Sequence, residues 1–254
     1  ITNAACEPEI VDLCNFLVLI GIKISGIGTT NLIIEPDNSS ISDINYSVIP
    51  DRIEAGTFMI LALITKGDIT LKNVLPEHLE SVIVKLKKAG ALVNINSDTS
   101  INIKYNDTIN PVDIETSEYP GFPTDLQAQW MSLMTVAHDQ SKIVENIYKD
   151  RFSHVSELIR FGAEVKMEND IAYVKGYSKL RSAPVMSTDI RASASLILAA
   201  LRAEGESVIS RVYHIDRGYE KIEEKINLLG GNIERINGWN ILLQKCDAEY
   251  LYFY

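Results

Sequence analysis

The sequence predicts an α/β (α+β) fold built from copies of one unit, ordered helix, strand, helix, strand, strand. A phrase typical of a helix end recurs four times, around glycines that lie 69, 72 and 68 residues apart: Gly21, Gly90, Gly162 and Gly230. Each glycine suits the left-handed residue that ends a helix, and a short β-prone stretch follows each one. A regular period of this kind indicates repeated supersecondary units.

Three of the units open with a capped, apolar helix that leads into a strand. They begin with the blocks Asp51–Val74, Thr124–Ile147 and Thr188–Val212. Because helices that are apolar on most faces are buried, we predict an inside-out α/β barrel with the helices in the centre and the sheets outside. If a rotation relates the units, the helix starts at Arg52, Asp125 and Asp189 lie on one face.

The same pattern divides the chain into three parts. Residues 51–238 hold three full copies of the unit and are predicted to form a complete three-repeat second domain. Residues 1–50 carry the tail of an earlier copy and a polar, proline-stopped stretch, which we interpret as the end of a truncated first domain and a linker. Residues 239–254 do not continue the pattern and are interpreted as an atypical tail.

The composition indicates a globular protein with an acidic surface. The chain has 254 residues, is 46% hydrophobic and carries a formal net charge of −10. This charge argues against nucleic acid or a membrane surface as the partner, whereas an anionic small molecule needs only a few focused arginines. The three cysteines and four histidines lack metal-ligand spacing, so we predict no metal site, no disulfide framework and a cytoplasmic location.

Asp125 is the candidate catalytic residue. Prolines and a glycine between positions 120 and 123 prevent an earlier helix, Thr124 is a good N-cap, and residues 126–137 are good helix formers. Asp125 is therefore predicted at the first helical position, facing whatever lies before the exposed N–H groups of the helix. The alternative is that its carboxylate merely complements the helix dipole.

Three arginines at helix starts are candidate anion ligands. Arg52 and Arg191 open central helices, and Arg217 opens a helix of the second type. Guanidinium groups bind carboxylate and phosphate through two parallel hydrogen bonds, and the helix ends add positive potential. The alternative for each arginine is a solvated surface position.

Six phrases in this order resemble one family. They are residues 3–9 (NAACEPE), 50–57 (PDRIEAGT), 122–129 (FPTDLQAQ), 145–152 (ENIYKDRF), 188–195 (TDIRASAS) and 213–220 (YHIDRGYE). The chain resembles the C-terminal portion of the UDP-N-acetylglucosamine 1-carboxyvinyltransferases, which are enolpyruvyl transferases. The resemblance implies transfer of enolpyruvate from phosphoenolpyruvate to the 3-hydroxyl of UDP-N-acetylglucosamine with release of phosphate, without a cofactor, as the first committed step of peptidoglycan synthesis.

The resemblance also implies roles for residues of this chain. Asp125 matches the family aspartate that binds the sugar hydroxyl and is proposed as the general base. Arg191 and Arg217 match arginines that hold the carboxylate and phosphate of phosphoenolpyruvate. Ile147 matches a position whose backbone contacts the uridine nucleotide, and Tyr148 lies beside it.

Arg52 and Glu54 match a pair at the crossing between the two domains of the family. The family's first domain supplies a loop cysteine, a lysine and further basic residues, and this chain has no match for them. The resemblance therefore implies that a missing N-terminal domain completes the enzyme and that this chain is inactive alone. A second function stays open from the residues themselves: a non-catalytic repeat domain that binds an anionic ligand or a partner protein.

Overall fold

The computed structural model describes residues 1–35, 44–237 and 249–253. Within them the α-helices are α1 (Pro8–Leu19), α2 (Arg52–Ile64), α3 (Glu80–Lys88), α4 (Gln127–Met134), α5 (Val155–Arg160), α6 (Ile190–Arg202) and α7 (Ile222–Leu228). Short 3₁₀ helices are η1 (Pro76–Leu79), η2 (Thr124–Leu126) and η3 (Val212–Arg217). The strands are β1 (Lys23–Ser25), β2 (Ile33–Glu35), β3 (Asp68–Lys72), β4 (Leu92–Ser97), β5 (Ser100–Lys104), β6 (Ile114–Glu115), β7 (Ser141–Val144), β8 (Glu164–Glu168), β9 (Ile171–Lys175), β10 (Pro184–Met186), β11 (Ser207–Ser210), β12 (Ile233–Asn237) and β13 (Glu249–Phe253).

Helices α2, α4 and α6 pack against one another, and nearly all of their residues are buried. Small residues allow the close approach: a Cβ added to Gly56 of α2 would come 2.4 Å from Leu126 Cδ1 in η2. Between α4 and α6 the buried Ser132 Oγ donates a hydrogen bond of 2.8 Å to the Ser195 carbonyl. The prediction that the apolar helices are buried is therefore confirmed.

Three sheets share one strand pattern, and each packs on a central helix. Their strand orders are β3-β5-β4, β6-β7-β9-β8 and β10-β11-β13-β12. In each sheet the strand that follows the central helix pairs antiparallel with the last strand of the same unit. In the second and third sheets, a short strand before the unit adds a parallel edge. The predicted order of helix, strand, helix, strand, strand therefore occurs three times.

The third unit extends beyond the predicted boundary at residue 238. Strand β13 lies between β11 and β12, with Ile233 opposite Phe253 and Ser207 also opposite Phe253. Leu251 and Phe253 are buried, whereas Tyr252 between them is half-buried, as expected for a strand with one face on a core. Residues 249–253 are thus the last strand of the third unit and not part of an atypical tail.

The helix after Asp125 begins later and ends earlier than the sequence predicts. Residues 124–126 form the single turn η2, and α4 runs from residue 127 to residue 134. Thr124 does not cap the helix, because its hydroxyl donates to Glu145 Oε2 at 2.9 Å instead. Asp125 therefore lies in a 3₁₀ turn in front of α4.

The first 35 residues form α1 and an antiparallel hairpin of β1 and β2. Polar contacts join them to the remainder of the chain. Tyr46 Oη donates to Asp12 Oδ1 at 2.6 Å, and Arg52 binds both carboxylate oxygens of Glu9 at 2.9 and 3.0 Å. Helix α1 therefore lies beside the start of α2. Across the described ranges, the chain contains no helix long and apolar enough to cross a membrane.

Asp51 is the N-cap of α2, and its removal should destabilise the fold. Its Oδ1 accepts hydrogen bonds from the Ile53 and Glu54 N–H groups at 2.7 and 3.1 Å. We expect Asp51→Ala to lower the free energy of unfolding by about 1 kcal/mol and Asp51→Asn to lower it by only a few tenths, because asparagine caps equally well. Urea titration measures both. An equal loss in Asp98→Ala, at an exposed turn, would contradict this account.

Candidate active site

The starts of the three central helices surround one cavity of about 360 Å³. Asp51 and Arg52 line it from the start of α2. Asp125, just before α4, and Arg191, at the start of α6, line it from the other two helix starts. The helix starts therefore lie on one face of the molecule, as the repeat pattern predicts. Glu9 and Asp12 of α1 close the opposite side of the cavity.

A second cavity, of about 280 Å³, adjoins the first one. The two share Glu9, Arg52 and Asp125, and the second extends to Tyr119 and Ile147. Among the candidate residues, Asp125, Arg52, Arg191 and Ile147 thus line one continuous cleft. A larger groove on the sheet of the second unit, lined by Glu164 and Lys175 among others, contains none of the candidate residues.

Asp125 lies between two guanidinium groups. Its Oδ1 accepts a hydrogen bond from Arg151 Nη1, and its Oδ2 contacts Arg191 Nη2 at 2.9 Å. Burial acts to raise the pKa of Asp125, but the hydrogen bond and charge of Arg191, together with Arg151, outweigh burial and hold that pKa below its usual value. Asp125 is therefore a carboxylate in the neutral range.

Arg151 was not among the candidate residues from the sequence. It lies in the loop after β7, its Nη1 also donates to Thr124 Oγ1 at 3.2 Å, and its guanidinium lies 5.2 Å from the centre of the Tyr148 ring. These contacts fix the guanidinium beside Asp125. The signal available in the sequence was its position in the phrase of residues 145–152, which also contains Ile147 and Tyr148.

Glu145 organises this loop from a buried position. Its carboxylate accepts the Thr116 and Thr124 hydroxyls at 2.8 and 2.9 Å, and the Ile147 and Tyr148 N–H groups at 2.9 Å each. With all four donors in place, the side chain is only 1% exposed. The side chains of Ile147 and Tyr148 remain exposed at the rim of the cleft, where a ligand has access to them.

Two carboxylates already occupy the helix ends at this face. Asp51 caps α2, and Asp189 Oδ1 accepts the Arg191 and Ala192 N–H groups of α6 at 2.8 and 2.9 Å. Each capping carboxylate therefore binds two first-turn N–H groups of its helix, as the predicted capped helices require. The positive groups that face the cleft are guanidiniums.

Arg52 and Glu54 have different partners. Arg52 forms the bidentate ion pair with Glu9 of α1, and its guanidinium lies 5.7 Å from the centre of the Tyr119 ring. Glu54 Oε1 instead accepts Lys225 Nζ of α7 at 2.6 Å. Arg52 thus joins the first 35 residues to α2. The interdomain role of both residues stays a prediction.

Arg217 is exposed at the end of η3 and has no hydrogen bond or ion pair with the described residues. The next residue, Gly218, packs against the start of α6, since a Cβ built there would lie 2.4 Å from Ile190 Cδ1. Arg217 therefore lies in a turn beside the start of α6. Its convergence with Arg191 on one anion stays a prediction.

The arrangement suits proton transfer next to an anion. A fixed carboxylate and several guanidiniums line one cleft, which is the donor and acceptor set for removing a hydroxyl proton beside a bound carboxylate or phosphate. No cluster of three or more histidine, cysteine or acidic side chains that suits a metal ion occurs in the described part of the chain.

The fold is that of an enolpyruvyl transferase. The family model of EPSP synthase (3-phosphoshikimate 1-carboxyvinyltransferase) matches residues 1–226. The UDP-N-acetylglucosamine 1-carboxyvinyltransferases of Hydrogenovibrio crunogenus and Nitratiruptor sp. are each 51% identical, over 92% and 93% of this chain and 56% of their own length. The chain therefore belongs to the UDP-N-acetylglucosamine 1-carboxyvinyltransferase family, within the enolpyruvyl transferases. It spans about half the length of the curated relatives it matches.

Solved structures support the fold assignment. The enolpyruvyl transferase NikO of Streptomyces tendae aligns with a TM-score of 0.81 at 22% identity, over 91% of this chain and 55% of NikO. The EPSP synthase of Acinetobacter baumannii aligns with a TM-score of 0.59 at 12% identity, over 81% of this chain and 46% of that enzyme. At such identities the likeness concerns the fold alone.

Proposed function

We propose that this chain supplies the general base and the phosphoenolpyruvate-binding arginines of a cytoplasmic UDP-N-acetylglucosamine 1-carboxyvinyltransferase of peptidoglycan synthesis. Residues 51–238 together with β13 form its second domain, an inside-out α/β barrel, and residues 1–50 form the end of its first domain and a linker. The observation that carries the proposal is the position of Asp125, held between Arg151 and Arg191 where the three helix starts meet.

In the proposed reaction, Asp125 accepts the proton of the sugar 3-hydroxyl while that oxygen bonds to the central carbon of phosphoenolpyruvate. The methylene carbon takes a proton from a group outside this chain. Phosphate then leaves as the methylene carbon loses a proton, which restores the double bond in the enol ether product. A base beside the attacking hydroxyl contributes about 10²–10⁴-fold to such a step.

The other site residues bind the two substrates. Arg191 and Arg217 hold the carboxylate and phosphate of phosphoenolpyruvate: Arg191 lines the cleft, and Gly218, the residue after Arg217, packs against Ile190 at the start of the same helix. Ile147 and Tyr148 contact the uridine nucleotide from the rim, where the Glu145 carboxylate fixes their backbone. The remaining basic residues for the diphosphate come from the missing N-terminal domain.

A chimaera tests the proposal. The part of this chain that aligns with the Hydrogenovibrio crunogenus relative, 92% of the chain, replaces the matching segment of that relative, so that the enzyme has its full length. We expect the chimaera to release phosphate from phosphoenolpyruvate only when UDP-N-acetylglucosamine is present. A chimaera that melts cooperatively but releases no phosphate with both substrates would contradict the proposal.

Arg217→Lys in this chimaera should raise the KM for phosphoenolpyruvate by about tenfold. An ammonium keeps the positive charge but loses the planar pair of donors, and a charge-assisted hydrogen bond contributes about 1.5–3 kcal/mol. Initial rates at saturating UDP-N-acetylglucosamine provide the KM. The matched control is Arg160→Lys on the exposed surface of α5, which should leave the KM unchanged. An unchanged KM in Arg217→Lys would show that Arg217 is a solvated surface residue and does not bind phosphoenolpyruvate.

A further inference from the structure

Three buried polar side chains, one from each repeated unit, meet beneath the cleft. They are Thr57 of α2, Gln129 of α4 and Tyr219, which follows η3, and each is at most 2% exposed. The Tyr219 and Thr57 hydroxyl oxygens lie 2.8 Å apart, and Gln129 Nε2 lies 3.1 Å from Thr57 Oγ1 and 3.3 Å from Tyr219 Oη. We call these three residues the anchor cluster.

The directions of these hydrogen bonds follow from the available protons. When the Thr57 hydroxyl donates its one proton to the Ile53 carbonyl, at 2.9 Å, Thr57 Oγ1 accepts the proton of the Tyr219 hydroxyl. Gln129 Nε2 also donates to the backbone carbonyl of Asp125 at 3.0 Å. The anchor cluster therefore binds Tyr219 to α2 and, through Gln129, to the turn that carries Asp125.

The turn before Tyr219 is held from a second side. Asp216 accepts two hydrogen bonds from Arg235 of β12, at 2.7 and 3.0 Å, and Arg235 also binds Glu223 of α7 at 2.8 and 3.0 Å. Arg217 lies between Asp216 and Tyr219 in sequence. Its backbone is thus fixed on both sides, while its own side chain has no hydrogen bond with the described residues.

We propose that Tyr219 and Asp216 are positioning residues that hold the guanidinium of Arg217 at the cleft in the geometry that binds the anionic substrate. This inference rests on the anion-binding role given to Arg217 under the proposed function. The anchor cluster also connects the proposed base to the proposed anion ligand. The Gln129 amide donates both to the backbone carbonyl of Asp125 and to the hydroxyl of Tyr219, which lies two residues after Arg217. A guanidinium held in place before binding loses less freedom when the anion arrives.

The test uses the 254-residue chain with Tyr219→Phe, which keeps the buried ring and removes only the hydroxyl, and Asp216→Ala, which removes a surface ion pair. The matched control is Ser132→Ala. This substitution also removes a buried hydroxyl that forms a hydrogen bond between central helices, but the partner of that hydrogen bond is Ser195 of α6 and not the turn of residues 212–219. Hydrogen exchange of the amides in that turn is measured first, without ligand. The dissociation constant for phosphoenolpyruvate alone is then measured by NMR titration.

We expect faster exchange in the turn and about tenfold weaker binding of phosphoenolpyruvate in both variants, since small displacements of a positioning group are costly. Ser132→Ala should match wild type in both measurements although its melting temperature falls. Unchanged exchange in Tyr219→Phe and Asp216→Ala overturns the inference, and so does faster exchange with unchanged affinity. If wild type binds no phosphoenolpyruvate at all, the anion-binding role proposed for the cleft fails, while the exchange data still decide whether the two residues hold the turn.

Discussion

Asp125→Asn in the chimaera should lower turnover by about 10²–10⁴-fold, which is the usual contribution of a general base. Asparagine has nearly the same shape, and its one amide oxygen still accepts a hydrogen bond from Arg151 or Arg191, but its NH2 group faces the other arginine and it does not take a proton at neutral pH. The reaction therefore loses its proton acceptor while the substrates still bind. Steady-state kinetics should show the loss in kcat and much less change in the KM for either substrate.

The stability of Asp125→Asn distinguishes a chemical role from a structural one. The variant loses two ion pairs whose side chains are 29%, 24% and 21% exposed. Because solvent screens such pairs, we expect a loss of roughly 1–2 kcal/mol in the free energy of unfolding. The control Asp68→Asn removes an exposed carboxylate that pairs with Lys104, and it should alter neither turnover nor stability measurably. Turnover of Asp125→Asn within about threefold of the parent would exclude the base assignment.

The pKa of Asp125 bears on how this base acts. With Arg151 and Arg191 both in contact, the carboxylate is ionised but is a weak proton acceptor. If phosphoenolpyruvate binds Arg191 as proposed, it draws away one of the groups that lower the pKa of Asp125, and we expect the carboxylate to become more basic. Burial acts in the same direction, because it raises the pKa of Asp125.

Local patterns in the sequence predicted most of the fold. Strand β8 is the β-prone stretch predicted after Gly162, since its residues and the glycine of the preceding helix end are signals within one short stretch. The start of α4 was missed for the opposite reason. Threonine is a residue type that often caps helices, but the hydroxyl of Thr124 donates to the carboxylate of Glu145, 21 residues further along the chain. No local pattern in the sequence contains that partner.

The site shows the same limit. Asp125 and Arg191 were found because both occur at helix starts, whereas Arg151 reaches Asp125 from a loop that follows a different element. Their meeting depends on how the units pack. Strand β13 was missed although Leu251 and Phe253 alternate with Tyr252, because the preceding residues carry no repeat signal and its partners β11 and β12 lie far back in the sequence. Pairing between strands that are far apart in sequence depends on the assembled sheet, and the residues of one strand alone do not predict it.

The 254-residue chain by itself should release no phosphate from phosphoenolpyruvate and UDP-N-acetylglucosamine, although its repeated units should fold. The substrates proposed for the enzyme carry a carboxylate, a phosphate and a diphosphate. Among the described arginines of this site, Arg52 is paired with Glu9, and both Arg151 and Arg191 are paired with Asp125. The positive charge of the cleft is therefore largely neutralised within the chain, and stabilising the transition state requires further donors aimed at it from the other side.

The test is a phosphate-release assay with the purified chain, run beside the chimaera under identical conditions. A cooperative unfolding transition for the chain shows that the absence of turnover is not a failure to fold. We expect release from the chimaera and none above background from the chain. If the chain released phosphate at a rate that Asp125→Asn abolishes, the groups proposed for the missing N-terminal domain would be dispensable, and Asp125 with Arg151, Arg191 and Arg217 would be sufficient for the reaction. We expect binding without release, because the proposed anchoring of Arg217 and the position of Asp125 belong to this chain, whereas we propose that the proton for the methylene carbon comes from outside it.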